Sequence, residues 1–304
     1  MHRALRLIAV GAGLAAIAWA FATGSYLLTA LGFAACYAVF VAGLNLFMGH
    51  AGQVSFGQNA FAAIGGYGSA VLTTAWDWPP LPALAASAAI AAAVAGLIGL
   101  ATLRLRGHYL AMATLALGLI TYELSVQWEG LTGGYLGISG IPPLSLGRWA
   151  AETDRAVFAV LALAASVAIW TGRRLRHSRF GRAMCAVAGS EEGAASLGIA
   201  VAPVKLAAFV AASVYASVAG SLLAHALGYI SPEVFGLHMV LLGFTMLYVG
   251  GIGTTAGPLV GAVAIGTLPE VIRGFRELQD LVYGAALILI LIRAPAGLAG
   301  MLRR

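Results

Sequence analysis

RRLRHSRFGRAMCAVAGSEEGAASLGIAVAPVK, Arg173 to Lys205, is the one extended polar stretch of the chain that carries helix-forming residues, and long apolar runs flank it on both sides. A mere connector does not need about 30 residues with secondary structure of their own. Within it Ser190 is placed to cap a helix N-terminus, Glu191 and Glu192 sit in the first turn where the helix dipole favours acids, and Gly198 is a natural C-terminal stop. The spacing predicts a helix of about two turns, with a second over Arg182 to Ala188 before it. The basic side chains of the stretch, between two runs long enough to cross a bilayer, mark a loop held on one side of a membrane.

The rest of the composition agrees. Apolar residues make up 61% of the 304 positions and charged residues 9%, too few to solvate an ordinary globule. A bilayer core about 30 Å thick takes about 20 helical residues per crossing, which limits the chain to roughly a dozen spans. Apolar runs fall at 7–23, 26–48, 59–75, 81–103, 109–127, 156–172, 204–229, 237–250, 256–269 and 281–293. The expectation is a single all-α transmembrane domain over 1–304, a polytopic helical bundle of about ten spans within a range of eight to ten, with a cytoplasmic loop at about 173–205. The first run is read as an uncleaved signal anchor rather than a secretory signal, because its apolar stretch is long for a signal core.

With the N-terminus inside and the spans alternating, 13 of the 17 basic residues fall on the inner side, and Arg148, Arg155, Arg273 and Arg276 make up the other 4. This is the bias that retention of basic loops requires, and it places both termini in the cytoplasm. The net charge of +6 is thereby assigned to topology and lipid headgroups, with no nucleic-acid partner. Cys36 and Cys185 lie at different depths, so neither a disulfide nor a metal site is expected. No phosphate-binding glycine loop is present, so ATP is not bound by this chain in that way and no cofactor is expected.

Two further segments stand out. In Gly43 to Gly68, Asn45, His50, Gln53, Ser55, Gln58 and Asn59 crowd a glycine-broken junction between spans, either a pathway-lining break or a simple turn. In Arg104 to Leu124, two arginines lead into a span carrying Thr114, Thr121, Tyr122 and Glu123. Asn45, Gln53, Ser55, Gln58, Asn59, Thr114 and Thr121 are the candidate substrate-pathway residues. Glu191, Glu192, Ala194, Ala195 and Gly198 are the candidates for coupling to a cytosolic partner.

Four passages in order, GLNLFMGHAGQVSFGQNAF (43–61), RLRGHYLAMATLALG (104–118), LTGGYLGISGIPPL (131–144) and SRFGRAMCAVAGSEEGAASLGIAVAPVKLAAF (178–209), resemble the LivM-type inner-membrane permeases of ABC importers for branched-chain amino acids. The resemblance covers about residues 36–298. It implies a bacterial inner-membrane subunit without enzymatic activity, working with a second homologous permease, two ATP-binding cassette subunits and a periplasmic solute-binding protein. It also implies that the fourth passage is the coupling segment, related to the pattern E-A-A-x-x-x-G. Glu192, Ala194 and Gly198 match that pattern, while Gly193 replaces an alanine. His108 stands where the family carries aspartate. Similar permeases serve urea and short amides, which remain an alternative substrate class. An ion-coupled secondary transporter is a rival that would need intramembrane acids, and a membrane-embedded enzyme would need a cluster of catalytic groups at one depth.

Overall fold

The structure, a computed structural model, describes residues 26–146, 149–268 and 297–301, together with 281, 284, 285, 288 and 292. Its principal helices are α1 (Tyr26–Leu44), α2 (Gln58–Thr74), α3 (Pro80–Thr102), α4 (His108–Gln127), α5 (Asp154–His177), α6 (Arg179–Gly189), α7 (Glu191–Ser196), α8 (Val201–Leu227), α9 (Leu237–Gly250) and α10 (Gly257–Gly266). Among the described residues six helical stretches are long and apolar enough to cross a membrane. They are Leu27–His50, Pro80–Thr102, His108–Gln127, Asp154–His177, Val201–Leu227 and Pro232–Gly250. The apolar run at 59–75 forms the 17-residue α2 and that at 256–269 contains the 10-residue α10. The run at 7–23 and most of that at 281–293 lie outside the described residues. The chain is an all-α polytopic bundle, and of the eight anticipated crossings that fall among the described residues six have the length to span alone.

The helices sort by what they bury. α8 runs through the centre against α1, α2 and α3, while α1 also packs on α5 and α10. α3, α4 and α5 turn large apolar side chains outward, including Leu97, Met112 and Leu163, each about two-thirds exposed or more. In water this would be an aggregation surface; in a bilayer it is the face that lipid or a partner helix covers.

Close approach at the centre depends on small residues, because hydrophobicity does not drive helix association in lipid. A Cβ on Gly65 of α2 would lie 2.6 Å from the Ser217 Cα, and one on Gly220 of α8 would lie 2.6 Å from the Ala62 carbonyl carbon. The two helices therefore meet backbone to backbone, each supplying the glycine that admits the other.

Two short antiparallel pairings close one end of the bundle. Ile138–Ser139 pairs with Tyr229–Ile230, and Ser145–Leu146 pairs with Trp149–Ala150. At the opposite end lie α6 and α7. Ser178 caps α6 by accepting from the Gly181 N–H at 3.1 Å, and Ser190 caps α7 by accepting from the Gly193 N–H at 3.0 Å. Gly198 follows α7 with φ +80° and donates to the Ala195 carbonyl, the stop that its lack of a Cβ permits. The anticipated two helices are present, the first of them longer than expected and starting at Arg179.

Candidate functional site

The polar junction after α1 is built as a break rather than a turn. α1 runs into a π-helical stretch, Asn45–His50, and regular structure resumes only at Gln58. A π-helical turn leaves backbone groups without their usual partners, and side chains supply them. The Asn45 amide donates to the Thr254 carbonyl at 2.8 Å and accepts from the Gly253 N–H at 2.7 Å, fastening the π stretch to the connection between α9 and α10. Thr114 of α4 accepts from the Phe56 N–H at 3.1 Å, and Ser55 accepts from the Gly57 N–H. The Phe56 ring stacks on Phe244 with centroids 4.5 Å apart. Residues 51–57 are thus irregular in backbone and fixed in position.

Asn45, Gln53, Ser55, Gln58, Asn59 and Thr114 are all buried in the protein. They do not share one location. Asn45, Ser55 and Thr114 spend their polar groups on the backbone of the break, and Thr121 bonds the Leu117 carbonyl of its own helix. Gln58 and Asn59 differ. Neither amide atom of Gln58 has a hydrogen-bond partner among the described residues. The Asn59 amide nitrogen donates to the Phe235 carbonyl at 2.9 Å, while Asn59 Oδ1 is buried and has no hydrogen-bond partner among the described residues. Asn59 also borders open space. It lines a cavity of about 260 Å³ whose apolar wall includes Phe56, Leu115 and Leu237 and whose polar side includes Tyr122 and Glu233. The Tyr122 hydroxyl donates to Glu233 Oε1 at 2.6 Å. Gly118 keeps this space open, since a Cβ there would sit 2.6 Å from Asn59 Oδ1. Tyr122 and Glu233 were not among the candidate pathway residues, because an acid and a span tyrosine 111 residues apart carry no local sign of meeting.

The second centre lies at the foot of the break. Lys205, only 3% exposed, donates to Glu191 Oε1 at 2.7 Å, and the Gln53 side-chain amide donates to the same oxygen at 3.1 Å. Arg106 Nε approaches Glu191 Oε2 at 3.7 Å from an exposed position and adds little. Burial alone would raise the Glu191 carboxyl, but Lys205, Gln53 and Arg106 outweigh it and hold the group below its ordinary value. Two motifs read separately, the break and the polar loop, are therefore one structure joined through Gln53 and Glu191. Of the five coupling candidates, Glu191 and the buried Ala194 face inward, Glu192 and Ala195 lie on the exposed side of α7, and Gly198 is exposed just after it. His108 is exposed at the start of α4 and lies away from the 260 Å³ cavity.

A family model described as the permease component of the branched-chain amino acid transport system matches residues 26–291. The chain belongs to this family. It is accordingly a membrane permease subunit rather than an enzyme. Within the branched-chain amino acid permease family, it is 30% identical to the high-affinity branched-chain amino acid transport system permease protein LivM of Escherichia coli (strain K12), over 95% of this chain and 73% of that protein. It is 31% identical to the corresponding LivH protein of Salmonella typhimurium, over 57% of this chain and 59% of that protein. No solved structure matches the chain.

Proposed function

We propose that the chain forms half of the translocation pathway of an ATP-driven importer for branched-chain amino acids, and that the solute passes the cavity beside Asn59. The observation that carries this reading is Asn59, which lines that cavity and whose buried Oδ1 has no hydrogen-bond partner among the described residues, at the point where the break delivers the chain into α2. Buried polar groups are rarely left unpaired, and a transient ligand is one way to satisfy such a group. Asn59 and the Glu233 carboxylate offer acceptors to an ammonium group, while Leu115 and Leu237 offer apolar surface to a branched side chain.

In this reading a second, homologous permease completes the pathway. Two ATP-binding cassette subunits dock against the exposed side of α7, and a periplasmic binding protein delivers solute at the opposite face. Both termini and the 173–205 segment are cytoplasmic, and α2, α10 and the runs at 7–23 and 281–293 bring the crossings toward ten.

Leucine uptake by the complete transporter in proteoliposomes tests the pathway. Asn59→Leu is expected to lower it about tenfold, the equivalent of one hydrogen bond to the solute. Leu119→Trp, which narrows the cavity and removes no hydrogen bond, is expected to block uptake while the complex assembles normally. Unchanged uptake in both variants rules the cavity out, and saturable uptake of urea in place of leucine reassigns the solute. Orientation is tested with the native thiols: Cys185 is exposed and Cys36 is buried. A membrane-impermeant maleimide is expected to label Cys185 in inverted vesicles and to leave it untouched in spheroplasts; the reverse pattern places α6 on the outside.

A further inference from the structure

A larger cavity, about 770 Å³, lies between the end of α5, α6 and the connection leading into α10. Arg173, Arg176, His177 and Arg182 line it together with Thr254 and Thr255, and none of its described lining residues is acidic. Among the described residues none of these three arginines forms an ion pair; the polar contact of Arg182 is to the His177 carbonyl at 3.1 Å. Retention of basic residues on one side of a membrane explains why they occur in this loop. It does not explain why three guanidinium groups from two helices converge on one concavity, where their repulsion opposes folding unless an anion offsets it.

The depth of the cavity identifies the anion. One turn before Arg174, Trp170 is more than half exposed, and the Arg174 guanidinium lies over its ring at 5.3 Å from the centroid. An exposed tryptophan paired with an arginine at a span end marks the headgroup level of the bilayer. Arg173 is adjacent in the same turn, so the cavity opens where lipid phosphates lie. The space exceeds what a single phosphate ion fills and leaves room for a whole lipid headgroup. Arginine forks and threonine hydroxyls are the donors that bind phosphate oxygens.

We propose that this cavity binds the headgroup of an anionic phospholipid from the adjacent leaflet. The proposal rests on the membrane location of α5 and not on which solute the permease carries. The test is native mass spectrometry of the full-length chain, with the subunits that co-purify, after exchange into micelles holding phosphatidylglycerol or phosphatidylcholine. The wild type is expected to retain phosphatidylglycerol selectively. The double variant Arg173→Gln with Arg176→Gln is expected to lose that retention about tenfold or more, given what each arginine contributes at headgroup level.

Arg104→Gln, an exposed arginine away from the cavity, is expected to behave as wild type. Lysine at both 173 and 176 is expected to keep most of the binding, which separates loss of charge from loss of fold. Equal retention in the glutamine variant and the wild type overturns the proposal. So does displacement of phosphatidylglycerol by millimolar inorganic phosphate, which reassigns the site to a soluble anion. Loss of the ATPase subunits from the glutamine variant with lipid retention unchanged also overturns it, by assigning the pocket to a protein interface.

Discussion

Gly220→Leu is expected to leave no monodisperse permease after extraction into detergent, the largest effect predicted for a single substitution in the bundle. The side chain would start from a Cβ 2.6 Å from the carbonyl carbon and 2.9 Å from the Cα of Ala62. Those are backbone atoms of α2, so no rotamer change relieves the contact, and the two helices must separate along their length. Overpacking a core with movable side chains costs about 1–3 kcal/mol, and here the resisting atoms belong to a helix that also packs on α3 and α4. Gly96→Leu is the control, because a Cβ at Gly96 meets nothing within 4 Å. Size-exclusion profiles of the two variants, expressed in parallel, check the prediction. Similar profiles would show that α2 and α8 have room to part.

The second large effect is expected at Glu191. Glu191→Gln removes the carboxylate from a Lys205 that is 3% exposed, and an uncompensated buried ammonium is costly. Breaking a buried pair costs roughly 3–5 kcal/mol, and the partial exposure of Glu191 puts this case near the lower end, about 3 kcal/mol. Lys205→Met is expected to cost less, since the carboxylate left behind still reaches Gln53, Arg106 and water. The double variant is expected to recover most of the stability, because nothing charged then remains buried. Thermal melting of the complex, read with solute-stimulated ATP hydrolysis, checks the order.

A Lys205→Met variant less stable than Glu191→Gln would contradict the assignment. The sign of the pH dependence follows from the lowered Glu191 value. The pair contributes fully above the ordinary carboxylate value of 4.5 and is lost as pH falls through the lower folded value, so melting should not change between pH 6 and 8 on its account.

What was legible in the sequence follows physical range. Length and hydropathy are local properties, so the runs that became α1, α3, α4, α5 and α8 could be read directly. The polar junction near 51–57 was visible because glycine and amide residues in an apolar setting are costly unless something nearby satisfies them, but the sequence left it open between a break and a simple turn. The caps of α7 were legible because Ser190 and Gly198 act within one turn. The π-helical stretch was not legible, since it depends on Asn45 reaching residues more than 200 positions away. The Gln53–Glu191 contact crosses 138 positions and was missed for the same reason. A signal for the buried pair did exist: Lys205 is the single lysine in the chain and stands at the start of an apolar run, where a charge requires a partner, and Glu191 is 14 positions before it. The cavity beside Asn59 could not be read, because its walls come from three separate segments, at 56–59, 115–122 and 233–240.

The glycine contact between α2 and α8 also has a mechanical consequence. Two helices joined backbone to backbone cannot slide, because a shift of one residue drives a Cβ into a carbonyl, so the pair behaves as a stiff rod. The irregular backbone at 51–57 lies at the foot of that rod and is held there by Thr114 and by the stacking of Phe56 on Phe244. Gln53 ties that backbone to Glu191. The first turn of α7 is thus joined through one hydrogen bond to the segment that leads into the rod, with Asn59 one residue inside the rod's end.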